Sequence, residues 1–202
     1  MFKILMAILA IIVILVIGTL TYFDWFHSVV VIKKEMPALT FVYKKHQGSF
    51  KEVGKVMEEL NKELPLLIGI NLQRGIGVYL DNPNQKSESE LRSLVGFIIE
   101  DLDLQKMDQV KMDQLKSKFK VATIPASLSY YSQFPFKGVI SYMIAPLKVW
   151  PKFATEIAQT SMKPSAGIEI YDTKDKANNE KKIEFYMSTV LGEKLFEDLW
   201  RE

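Results

Sequence analysis

Ile4 to Phe23 is an unbroken stretch without one charged side chain, dominated by Ile, Leu and Val. A helix apolar on every side has no polar face to turn toward water, so it is no surface helix of a soluble fold. At about 1.5 Å per residue it measures roughly 30 Å, the hydrocarbon thickness of a bilayer. Signal peptides have shorter apolar cores, about 7–15 residues, followed by small residues at a cleavage site. Leu20-Thr21-Tyr22-Phe23 provides no such site. Tyr22, Phe23, Trp25 and Phe26 around Asp24 instead look like an aromatic belt at a membrane interface. The expected organisation is a transmembrane anchor over 1–24, a juxtamembrane linker over 25–36, a folded domain over 37–190 and an amphipathic segment over 191–202. The bilayer is therefore one expected partner. Lys3 on one side and Lys33 with Lys34 on the other nearly balance, so positive charge does not choose a side.

The rest of the 202 residues suffices for one domain with a real core. Basic residues exceed acidic ones by only two, with no basic stripe among aromatics, so nucleic acid is not an expected partner. The chain has no cysteine, which excludes disulfides, thiolate metal sites and a cysteine nucleophile. With only His27 and His46, a histidine-rich metal centre is not expected either. No Ser-His-Asp arrangement or phosphate loop appears, and neither a cofactor nor a catalytic residue set is expected.

Alternation of apolar and polar residues marks a strand over Ala38–His46. Gly48 breaks it, and Ser49 with Glu52 has the spacing of a capping box. Phe50, Val53, Met57, Leu60 and Leu64 then form one helical stripe, which Pro65 is expected to help stop. Strands follow at Gly75–Asp81 and Leu94–Ile99, and the charged stretch Asp101–Lys120 reads as a partly helical connector. The same order then recurs. A strand runs from Ile124 through Phe134, and Gly138 precedes an apolar, aromatic-rich helix over about Val139–Gln159, kinked or split at Pro151. Strands at Gly167–Tyr171 and Ile183–Met187 flank the polar loop Asp172–Lys182. The expected fold is α+β: two β-α-β-β repeats form an antiparallel sheet with two helices on one face, after the transmembrane helix.

Strand phase nominates a site. If Ile76, Val78, Leu80, Ile168 and Ile170 meet the helices, then Gly75, Gly77, Tyr79, Glu169 and Tyr171 lie on the helix-free face. Glu184 and Tyr186 join them if Ile183, Phe185 and Met187 pack inward. Glycines leave room, tyrosines offer flat walls with polar tips, and a sheltered carboxylate favours a cationic or hydrogen-bond-donating ligand.

Several pieces in order resemble a known family. They are Tyr43-Lys44-Lys45-His46-Gln47-Gly48, Gly77-Val78-Tyr79-Leu80-Asp81-Asn82-Pro83, Arg92-Ser93-Leu94-Val95-Gly96, Ile124-Pro125-Ala126, Phe134-Pro135-Phe136-Lys137-Gly138 and Ile168-Glu169-Ile170-Tyr171-Asp172. Together they resemble the GyrI-like small-molecule-binding domain over nearly all of 37–190. The resemblance implies a ligand groove between the repeats, with Glu169 meeting cationic ligands and Tyr171, Tyr79 and Tyr131 as walls. Some members are hydrolases of cyclopropane-bearing toxins; if this chain is one, Glu169 is the residue implied.

A membrane-anchored branch of that family, autophagy receptors of the endoplasmic reticulum, is similar in placing one transmembrane helix before the domain. Its partner motif is aromatic-x-x-aliphatic with flanking acids, which Phe196-Glu197-Asp198-Leu199 fits. That resemblance implies a protein partner at Phe196 and Leu199, although the branch carries its motif in a long disordered tail. The other reading of Leu191, Leu195, Phe196, Leu199 and Trp200 is an amphipathic helix docked on the domain. The membranes implied are the bacterial inner membrane and the endoplasmic reticulum.

Overall fold

The computed structural model describes residues 2–160, 163, 165–172 and 181–201. Helix α1, Phe2–Tyr22, is 21 residues long, and none of them is buried. By length and composition it is sufficient to cross a membrane. The domain follows as β1 (Ile32–Met36), β2 (Leu39–Gln47), α2 (Val53–Ile68), β3 (Gly75–Tyr79) and β4 (Arg92–Ile98). After the short α3 (Asp101–Leu104) and α4 (Gln109–Lys118) come β5 (Lys120–Ile124), β6 (Ser127–Pro135), α5 (Ser141–Ala158), β7 (Gly167–Asp172), β8 (Lys182–Ser188) and α6 (Glu193–Arg201).

The eight strands form one sheet in the order β1-β6-β8-β7-β3-β4-β2-β5, with antiparallel neighbours throughout. The two β-α-β-β repeats are β2-α2-β3-β4 and β6-α5-β7-β8, and they meet at β3 and β7. The α+β fold is thus as the sequence implies, with two additional strands. β1 pairs with β6 of the second repeat, and β5 pairs with β2 of the first. Only Pro37 and Ala38 separate β1 from β2, and only Pro125 and Ala126 separate β5 from β6. Met36 pairs with Ser127 and Leu39 with Ile124, so one register runs unchanged through both corners. The stretches 32–47 and 120–135 are in effect one long ribbon bent at paired Pro-Ala corners. Since β1 and β5 stand at opposite ends of the strand order, this ribbon curls the sheet back on itself.

The curl gives the sheet two buried faces. On one, Phe41, Tyr43, Ile76, Val78, Leu94, Ile168 and Ile170 gather with Phe196 and Leu199 of α6. On the other, α2 covers Val42 and Phe97, while α5 covers Phe134, Ile183 and Phe185.

Several local expectations are corrected. Residues 25–36 are more than a linker: Val29 and Val31 pack against the α5 core, as does Phe23 just before them, and 32–36 is a strand. Ser49 makes no side-chain cap; its carbonyl accepts from the Glu52 amide at the start of a short 3-10 turn. Pro65 sits inside α2, which ends instead at left-handed Gly69, φ 68°. α5 is continuous through Pro146 and Pro151. The polar loop before β8 falls almost wholly outside the described residues.

Candidate functional site

β3 and β7 are adjacent and central, paired as Gly75 with Tyr171, Gly77 with Glu169, and Tyr79 with Gly167. Directly opposed residues share a face. This face is the one that carries α2 and α5, not the helix-free one. The correction has a geometric cause. Register also pairs Ile168 with Tyr186 and Ile170 with Glu184, so Glu169 and Tyr171 cannot share a face with Glu184 and Tyr186. Because both faces are buried, apolarity alone does not say which one the helices cover.

On the helix side three glycines floor the line where the repeats meet. The indole of Trp150, on α5, lies against Gly167, where a Cβ would come within 2.7 Å of Cη2. Tyr79 folds over Gly77, whose Cβ would stand 3.0 Å from the hydroxyl. Gly75 faces Met57 of α2 and the ring of Tyr171. Aromatic neighbours extend this layer: Phe50 meets Tyr79 at 4.8 Å, and Tyr142 meets Tyr171 at 5.5 Å between ring centroids, both edge to face.

Glu169 sits within this layer, 3% exposed. Trp150 Nε1 donates to its Oε1 at 2.8 Å, and the Tyr171 hydroxyl donates to its Oε2 at 2.8 Å. Tyr171 in turn meets the hydroxyl of Tyr79 at 2.7 Å. With Tyr171 donating to the carboxylate, Tyr79 must be the donor in that second contact, since each hydroxyl has one proton. Among the described residues no lysine or arginine pairs with Glu169. Burial pushes its carboxyl up to about 7, against the opposing pull of the Tyr171 and Trp150 hydrogen bonds. Burial and the Glu169 charge also hold both tyrosine hydroxyls well above their ordinary range. The arrangement is an apolar, aromatic seam with one carboxyl that has no counter-ion among the described residues.

Tyr131 and Tyr186, expected as walls of the same site, lie on the opposite face. Their rings meet at a tilt of 50° with centroids 4.9 Å apart, and the Tyr131 hydroxyl donates to Glu184 Oε1 at 3.1 Å. Glu184 is also buried, but Arg74 donates to it at 3.1 Å and Lys182 stands at 3.2 Å. Arg74 bridges onward to Glu100 at 3.1 Å and lies 3.9 Å from Asp172. This second carboxylate is neutralised from within the chain.

Phe196 and Leu199, expected as a partner motif, are 2% and 6% exposed. They are the apolar edge of α6, which is docked by the Tyr43 hydroxyl on the Leu199 carbonyl at 3.0 Å and by the Arg92–Glu197 pair at 2.7 Å. The docked amphipathic helix is the arrangement observed. Sequence reasoning missed Trp150, Tyr142, Phe50 and Met57 as members of the seam. Gly167, two residues before Glu169 on the same strand face, was the available signal that something bulky had to lie there.

The sequence model of the family described as the GyrI-like small molecule binding domain matches residues 30–189. No curated protein matches the chain. Among solved structures, the EcmrR C-terminal domain aligns with a TM-score of 0.54 at 11% identity, covering 79% of this chain and 96% of that one. EcmrR in a complex with DNA aligns at 0.51 and 13% identity, covering 93% and 68%. SAV2435 bound to tetraphenylphosphonium aligns at 0.47 and 13%, covering 79% and 93%. At these identities the likeness to the solved structures is one of fold.

Proposed function

This chain belongs to the GyrI-like small-molecule-binding family, and from that premise we propose that it is a membrane-anchored receptor for an apolar, cationic small molecule. The ligand site is the seam between α2 and α5, floored by Gly75, Gly77 and Gly167. Its walls are Tyr79, Tyr171 and Trp150, and Glu169 is its polar anchor. The observation that carries the reading is a carboxyl 3% exposed and without a cationic partner among the described residues. A buried carboxylate in that position is costly unless it is protonated or paired. A ligand cation supplies the missing charge, and its apolar body meets ring faces that favour cations. In this closed state the rings themselves fill the seam, so entry moves Trp150 or the tyrosine pair.

Anchoring by α1 is supported by its length and by the way the chain leaves it. Lys137 pairs with Asp24 at 2.8 Å, and Lys148 donates to the carbonyl of His27 at 2.6 Å. These contacts bind the helix exit to the domain, as suits a retained anchor rather than a removable leader.

The test is thermal shift of the full chain in detergent with tetraphenylphosphonium and with uncharged triphenylphosphine oxide. The cation should raise the melting temperature, the neutral compound should do so less, and Glu169→Gln should remove the difference. Equal responses to both compounds in both proteins would refute the role given to the carboxylate.

A further inference from the structure

Exposed apolar side chains are scattered over most of the domain. Leu66, Leu102, Val110 and Val190 stand singly along the chain, and isolated surface residues of that kind call for no special account. The start of α5 is different. Val139 is 77% exposed, Met143 68% and Leu147 66%, with Ile140 and Tyr142 also exposed. Ile140, Met143 and Leu147 recur at helical steps of three and four. Their stripe lies opposite the one that Ile144, Ala145, Val149 and Phe153 bury against the sheet.

The position of this stripe identifies its occupant. Lys137, just before α5, pairs with Asp24 and stands over the ring of Tyr22 at 5.9 Å. Gly138 lies beside the ring of Phe23. Lys148, in the second turn, donates to the backbone carbonyls of both Trp25 and His27. The exposed stripe is therefore mounted on the residues that leave the apolar helix, next to the exposed rings of Tyr22, Trp25 and Phe26. A surface combining an apolar stripe, aromatic rings and flanking lysines has the composition of an interfacial membrane contact.

We propose that Val139, Ile140, Met143 and Leu147 seat in the interfacial layer of the same phospholipid bilayer that α1 spans, as a second membrane contact of the domain. The inference rests on the reading of α1 as an anchor.

The chain has no cysteine, so a single introduced cysteine carries one label. The full chain, with Met143→Cys, Leu147→Cys, Leu15→Cys or Asn84→Cys bearing an environment-sensitive nitrobenzoxadiazole dye, is reconstituted in phosphatidylcholine vesicles. Nitroxide lipids with shallow or deep spin labels then serve as quenchers. Labels at 143 and 147 should show emission shifted to shorter wavelength relative to the label at 84 and lose at least half their intensity to the shallow quencher. The label at 15, mid-helix in α1, should respond to the deep quencher, and the label at 84, in the β3–β4 hairpin, to neither. Water-like emission at 143 and 147 with deep quenching at 15 overturns the second contact and leaves the anchor standing. Loss of deep quenching at 15 overturns both.

Discussion

Two glutamates on opposite faces of one sheet, Glu169 and Glu184, are comparably buried and differently provided for. Glu184 is held between Arg74 at Oε2 and Lys182 at Oε1, with Tyr131 also donating to Oε1. Glu169 receives one indole and one phenol hydrogen bond and no cation among the described residues. The first is an element of structure, complete within the chain. The second has no cationic partner among the described residues, and on the proposed reading a ligand brings one. A buried acid by itself therefore does not mark a site; on the proposed reading the mark is the want of a cationic partner among the described residues, over glycines that admit aromatic rings.

Removing the cation from the satisfied side should break the contrast most visibly. Arg74→Met leaves Glu184 and Asp172 facing each other around a lost guanidinium, and such disruption typically costs about 3–5 kcal/mol. Denaturant unfolding at pH 7 should show a loss of about 3 kcal/mol, the lower figure because Lys182 remains beside Glu184. A loss no larger than that of an ordinary surface substitution would remove the distinction between the two carboxylates.

The pH dependence on the unsatisfied side should have the opposite sign from that of a salt bridge. Glu169 is raised to about 7 in the fold, so its contribution is fully present below its unfolded value and is lost as pH rises through 7. Between pH 4.5 and 8 the difference in unfolding free energy between wild type and Glu169→Gln should move by about 3 kcal/mol in favour of the variant. A pH-independent difference would mean that the carboxyl ionises normally despite its burial.

Asp81 sharpens the same comparison in the other direction. Burial raises its pKa, but hydrogen bonds from Arg92 and Lys86 outweigh burial and hold it at about 2. Its contribution is present above the ordinary value and is lost as pH falls through 2. Asp81→Asn should cost about 2 kcal/mol at pH 7, and the cost should vanish near pH 2. Matched urea titrations at the two pH values check it.

The elements of both repeats were legible because their strands alternate, the α2 stripe has helical steps, and turn residues stand between them. What was not legible came from long-range closure. Ile32–Met36 reads as a polar tail to the anchor, and only its partner β6, some ninety residues away, makes it a strand. The repeated Pro-Ala after Met36 and after Ile124 was the local trace of that ribbon. Facing was misjudged for a related reason. On a sheet with one wet face, Ile76 and Ile168 would identify the helix side. On this curled sheet they line the α6 side, while the helix side needs glycine to admit Trp150 and Tyr79. Glu169, Tyr171, Tyr79 and Gly77 were nonetheless selected together, because β3 and β7 were read in the same phase; β8 was not, and Glu184 and Tyr186 were grouped with them wrongly.

The claim that Glu169 waits for a cation has a direct signature in proton release. Calorimetric titration of the full chain with tetraphenylphosphonium at pH 6, in two buffers of different ionisation enthalpy, counts protons released on binding. With a carboxyl near 7, the wild type should release close to one proton per cation bound and bind more tightly as pH rises to 8. Glu169→Gln should release none. Binding of the cation to both proteins with equal affinity and no proton release, or to neither, would contradict the account.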